Sequence, residues 1–130
     1  MNIKDVMLTI DNFPVIKGSV ILKEALEEMS IKKIGIACVV NDDFKLLGII
    51  TDGDIRRKIL TIQKPLSSFF IDDCLDHAIL FPKTIDINDT IELAVKLMGD
   101  KKVWDLPVLE NGILMGLLHL HPLVSALIKK

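Results

Sequence analysis

The chain states one pattern twice. Leu22, Ala25, Leu26 and Met29 return at the same spacing, 69 residues on, as Ile91, Ala94, Val95 and Met98. Paired lysines follow each set (Lys32–Lys33, then Lys101–Lys102), then an apolar run, a polar turn, a glycine and a second apolar run. A repeat this long demands two similar units that fold together, because half of 130 residues is marginal as an independent fold.

Element order follows from the spacing. Val20 to about Ser30 has its apolar residues on one helical face, with Ser19 as the expected N-cap. Ile34 to Val40 is short, continuous and β-branched, which predicts a buried strand. Asn41-Asp42-Asp43 turns the chain into a second strand, Leu46 to Thr51, and Asp52 to about Leu60 is a short helix. In the second copy Asn88 or Asp89 caps a helix to about Met98. A strand from Val103 to Leu109, a turn at Glu110-Asn111-Gly112, a strand from Leu114 to His119 and a helix near Pro122 follow. Extended pieces at Phe13–Ile16 and Phe81–Ile85 precede the two long helices. The predicted fold class is α/β: two tandem β-α-β-β-α repeats, about 1–64 and 65–130, related by a pseudo-twofold axis. The linking stretch from Thr61 to Leu80 is expected to be partly helical, with Phe69 and Phe70 packed.

The remaining composition narrows the function classes. Net charge is −2 with pI near 5.9, and no basic stripe exists, so nucleic-acid binding is not expected. Half of the residues are apolar and mean hydropathy is +0.44, enough to cover both faces of a sheet or to leave surface for a homodimer. The first residues do not read as a signal peptide, and Ile113 to Ile128 is too short and too polar for a membrane span. Two cysteines form no metal or disulfide framework, and Cys38 reads as a core residue; a reducing cytoplasm is the expected compartment.

The segment with chemical content is Gly48-Ile49-Ile50-Thr51-Asp52-Gly53-Asp54-Ile55-Arg56-Arg57. A strand ends at Thr51 and a helix begins at once, so Asp52 and Gly53 lie where backbone N–H groups suit phosphate. Thr51 can donate and accept, and Asp54 can take both hydrogen bonds of a ribose diol. Thr51-x-x-Asp54 equally fits a capping box, in which the pair only satisfies the helix end. Arg56 and Arg57 suit a solvated face or a ligand's charge.

These residues and the repeat resemble a pair of CBS domains, the regulatory module named after cystathionine β-synthase. The resemblance covers nearly the whole chain. It implies two halves packed sheet to sheet with clefts that bind adenosine nucleotides or similar ligands. Thr51 and Asp54 match the positions that contact phosphate and ribose, and Ile36, Ala37, Val15 and Ile16 match those around the base. Asp5-Val6-Met7, Thr51 to Arg57 and Leu118-His119-Leu120-His121 together are similar to the C-terminal CBS pair of bacterial arabinose-5-phosphate isomerases, enzymes of the lipopolysaccharide sugar Kdo. That pattern continues with aspartate where this chain has Pro122, and no sugar-isomerase domain is expected within these 130 residues. The Thr51–Arg57 piece also resembles CBS pairs of sugar nucleotidyltransferases.

The resemblance implies a sensor, not an enzyme. Its ligand would be an adenosine or cytidine nucleotide, and its partner a sugar-isomerase catalytic domain. The alternative is a ligand-free oligomerisation module. His119 and His121 are expected on one strand face in a second cleft, with His77 as a further approach; no metal site is expected from them. Asp72-Asp73, Asp76 and Asp42-Asp43 read as solvated surface. Trp104 reads as core or cleft wall, with base stacking as the alternative. At the site positions the second copy has His119 and Pro122 for Thr51 and Asp54, so one nucleotide-type site per chain is expected.

Overall fold

The computed structural model describes residues 1–129. They form two compact units: Phe13–Pro82, and Met1–Asn12 together with the chain from Lys83 onward. The repeat boundary expected near residue 64 lies within the first of these units. The packing units are offset from that point, because each takes its outermost segment from elsewhere in the chain.

In the first unit, β1 (Val15–Lys17), α2 (Leu22–Lys32), β2 (Ile36–Val40), β3 (Leu46–Thr51) and α3 (Asp52–Ile59) follow the expected β-α-β-β-α order; α1 is Ile3–Val6, in the other unit. The linker adds α4 (Leu66–Phe70), a 3₁₀ turn at Cys74–His77 and β4 (Ile79–Leu80). The sheet order is β1-β2-β3-β4, with β1 parallel to β2 and the other pairs antiparallel. The second unit repeats this with β5 (Ile85–Asp86), α5 (Ile91–Lys101), β6 (Asp105–Glu110), β7 (Ile113–His119) and α6 (Leu120–Ile128), in sheet order β5-β6-β7. Its fourth edge comes from the N-terminus, where Leu8 bridges Leu117. Leu117 is the repeat equivalent of Ile49, which pairs with Ile79 of β4.

That shared edge explains the two strand glycines. A Cβ at Gly48 would sit 2.7 Å from the Ile79 carbonyl oxygen, and one at Gly116 would sit 2.6 Å from that of Leu8. The crossing backbone needs the space in both copies. The cores match as well. Ile16, Leu22, Ala25, Met29, Val39, Ile50 and Ile55 are buried in the first unit, and Ile85, Ile91, Ala94, Met98, Val108, Leu118 and Leu123 in the second. Phe69 and Cys74 complete the first core and Ile3 the second.

Helix starts differ from expectation. Ser19 lies in a turn and does not cap α2; Ile21 is the N-cap, with no side-chain bond. The Leu22 N–H donates instead to the Asp72 carbonyl at 2.9 Å, a partner 50 residues away that no local pattern announces. Thr90 caps α5, accepting from the Leu93 N–H at 3.0 Å. Asn88 and Asp89 are occupied with a turn around Asp86. Trp104 is not core: it precedes β6 and is 64% exposed. No helix among the described residues is long and apolar enough to cross a membrane.

Candidate functional site

Thr51 ends β3 and is the N-cap of α3. Its hydroxyl accepts from the Asp54 N–H at 3.3 Å and donates to Asp54 Oδ2 at 2.6 Å. Arg57, one turn on, donates to Asp54 Oδ1 at 2.8 Å. Gly53 leaves room for this, since a Cβ there would lie 3.2 Å from the guanidinium. The arrangement is half a capping box: the Asp54 carboxylate takes the Thr51 hydroxyl and Arg57. At the start of α1 the reciprocal pair is complete, between Asn2 and Asp5.

Partial burial of Asp54 works to raise its pKa, but the bonds from Thr51 and Arg57 and the charges of Arg57 and Lys58 outweigh it. The carboxyl is held below its ordinary range and is ionised at neutral pH. An ionised carboxylate has about four acceptor positions, and these two bonds leave about two, the number a vicinal diol requires. The Gly53 N–H has no acceptor within its own helical turn, and Asp52 donates its N–H to the Gly35 carbonyl at 3.1 Å.

The sheet register sorts the other expected site residues. Ile36 pairs with Thr51 and Val15 with Cys38, so Val15, Ile36 and Thr51 share one face. Ile16 and Ala37 lie in the helix-covered core with Val39 and Ile50, so a ligand on the Thr51 face meets them only through main chain. Asp52 is exposed beside a groove of about 510 Å³ between α2 and α3, which Gly35 and Arg56 also line. Thr51 and Asp54 do not line that groove.

The equivalent position in the second unit holds different chemistry. Asp105 pairs with His119 in the register, as Ile36 pairs with Thr51. Asp105 Oδ1 lies 2.6 Å from His119 Nδ1. Burial raises the Asp105 pKa, and the His119 bond and charge offset only part of that. Sequence alone does not single out Asp105; the signal was its position, 69 residues after Ile36.

His119 ends β7 and His121 lies in α6, with ring centroids 5.7 Å apart, so the two do not share a strand face as expected. His77 belongs to the first unit, where Nε2 is 2.7 Å from Asp72 and Nδ1 3.3 Å from Lys58. Asp72 lies at the surface, half-buried and paired: bonds from Lys64 and His77 hold its pKa down, while Asp73 and Asp76 are exposed as expected. No group of metal ligands occurs among the described residues.

Comparison with known proteins matches this geometry to a family. Residues 3–61 match the CBS domain family. The crystal structure of the CBS domain NE2398 is 30% identical, covering 89% of this chain and 87% of that one, with a TM-score of 0.76. The chain belongs to the CBS-domain family. CBSX2 in complex with AMP is 27% identical, covering 98% of this CBS chain and 96% of that one, with a TM-score of 0.86. Arabinose 5-phosphate isomerase KdsD of Escherichia coli K12 is 29% identical over 97% of the chain. This CBS chain spans 37% of that isomerase, and little more than a third of the other curated relatives it matches first.

Proposed function

We propose that the chain is a regulatory CBS pair, with repeats of about 1–64 and 65–130, that senses a nucleotide or nucleotide-sugar at the β3–α3 junction. The observation that carries this reading is the likeness to CBSX2, a protein crystallised with AMP, over nearly the whole chain. The local chemistry agrees with it. Asp54 is ionised with acceptor capacity left for a ribose diol. The first turn of α3 offers the Gly53 N–H and a dipole end to phosphate. Ile36, Val15 and the main chain of Ile16 and Ala37 would flank the base.

Sensing requires the ligand to bind two states of the protein with different affinity. The partner we propose is a sugar-isomerase domain of the arabinose-5-phosphate type, working in the cytoplasm, with the module as a homodimer. The 29% identity to KdsD and the chain's span of 37% of it support that assignment. The CBS pair itself performs no catalysis in this reading.

A second reading keeps Thr51 and Asp54 as a cap alone, in a ligand-free oligomerisation module; the bonds they already make to each other favour it. A third makes the chain the CBS pair of a sugar nucleotidyltransferase. Thermal unfolding with AMP, ATP, CMP, CMP-Kdo and sugar phosphates separates sensing from capping. A ligand at a hundred times its dissociation constant adds about 2.7 kcal/mol. A cytidine sugar nucleotide as the best ligand supports the Kdo-pathway partner. No shift with any of them removes the sensing reading.

A further inference from the structure

His77 joins the helix of the proposed site to the linker. Its side chain is 13% exposed, and its ring packs edge-on to Phe69 of α4 with centroids 4.5 Å apart. Lys58, in the last turn of α3, has its ammonium 3.3 Å from Nδ1. An ammonium carries donors only, so Nδ1 offers its lone pair and the ring proton sits on Nε2. From there it is donated to Asp72 Oδ2 at 2.7 Å, an oxygen that also accepts from Lys64 at 2.7 Å. Asp73 and Asp76, the other acids of this turn, are exposed. Main chain pins the linker to the approach of α2: the Leu22 N–H donates to the Asp72 carbonyl, and the Cys74 N–H to that of Val20. Of the pair, Lys58 is the member that can leave.

The fold does not require this arrangement. Leu8 bridges Leu117, the equivalent of the Ile49 that pairs with Ile79, so Leu8 stands in the second unit where Ile79 stands in the first. Counting back from there puts Val6 in the place of His77, and counting on from His119 puts Ala126 in the place of Lys58. Val6 packs against the second core. Apolar residues hold the positions that, in the first unit, carry a bond dependent on one proton.

We propose that Lys58 and His77 form a proton-operated latch on the nucleotide site. Imidazole is the side chain that ordinarily changes charge between about pH 5 and 8. A second proton on the ring goes to Nδ1, removes the lone pair and sets two cations against each other, while Asp72 keeps its bond to Nε2. Lys58 then leaves. Asp54 lies one turn earlier on the same helical face, at a spacing that forms ion pairs, and already feels the Lys58 charge. The released ammonium takes an acceptor position that a ribose diol needs, so acid weakens nucleotide binding. This coupling deepens the sensing reading above and rests on it.

Titration calorimetry with AMP at about pH 7.5 and about pH 5.5 tests the coupling, on the 130-residue chain, His77→Gln and Lys58→Met. Nitrogen chemical shifts of the imidazoles test the latch without ligand. The AMP phosphate titrates in the same range, so His77→Gln, neutral throughout, is the reference. The expected loss of affinity on acidification is at least about twofold larger in the parent than in either variant, the size of an exposed pair one turn apart. The His77 ring is expected as the Nε2–H tautomer at the higher pH. Equal pH dependence in the parent and His77→Gln overturns the coupling, and an Nδ1–H ring overturns the latch whatever AMP does. No AMP binding by any of the three at either pH removes the coupling together with AMP sensing, and the tautomer still decides the latch.

Discussion

At the scale of single residues, the Thr51–Asp54–Arg57 cluster caps a helix and, in the proposed function, meets a ligand with the same geometry. Thr51 caps α3, so Thr51→Ala should cost about 0.5–2 kcal/mol in chemical denaturation. The pH dependence has a definite sign. The folded state holds the Asp54 pKa below its unfolded value, so its stabilising contribution is complete above the unfolded value and is lost as pH falls through the folded one. Asp54→Asn should therefore flatten acid unfolding below about pH 4. Asp105 has the opposite sign. Its raised pKa means that stability falls as pH rises from the ordinary carboxylate value of 3.8 through the folded one. Asp105→Asn keeps an acceptor for His119 and removes the cost of a buried charge. Its melting temperature near pH 7 should match or exceed that of the parent, and a marked drop would contradict this account.

At the scale of elements, the periodic parts were legible and the long-range partners were not. Met29 and Met98, Ala25 and Ala94, and the apolar runs at Leu46–Thr51 and Leu114–His119 placed helices and strands within a few residues. Ser19 misled because the Leu22 N–H finds the Asp72 carbonyl, a contact made only after the linker folds back. The pairing of Asp72 was hidden for the same reason: its partners Lys64 and His77 are brought by the fold. The site was half legible. Thr51 and Asp54 are adjacent as their spacing required, whereas the burial of Ala37 and the Asp105–His119 pair depend on sheet register. Gly48 and Gly116 could be seen in sequence as a repeated glycine, and the reason is the backbone that crosses them. Gly48→Ala and Gly116→Ala should each destabilise by about 1–3 kcal/mol, because the added methyl meets backbone oxygen that cannot rotate away. Denaturant midpoints of the two variants check this, and a neutral result would mean that neither edge is held tightly.

At the scale of the whole molecule, the N-terminal segment packs in the unit built from Lys83 onward, and the linker packs in the unit that starts at Phe13. Ile3 and Leu8 belong to the unit built from Lys83 onward, and Phe69 and Cys74 to the unit built from Phe13. Deleting residues 1–12 should therefore destabilise the second unit, seen as lost amide-exchange protection in β6 and β7. Phe69→Ala should cost the first unit about 3–5 kcal/mol. Duplication keeps the scaffold while the sites diverge: a cap with an ionised acceptor in one unit, a carboxylate–imidazole pair in the other. The account's central claim is that the first of these binds a nucleotide. Isothermal titration of the intact chain and of Asp54→Ala with AMP and CMP-Kdo tests it most directly. One saturable site per chain is predicted, weakened at least tenfold by Asp54→Ala, while the ligand-free variant loses only the stability of a helix cap. Affinity unchanged in Asp54→Ala, or no binding of either nucleotide, would contradict it.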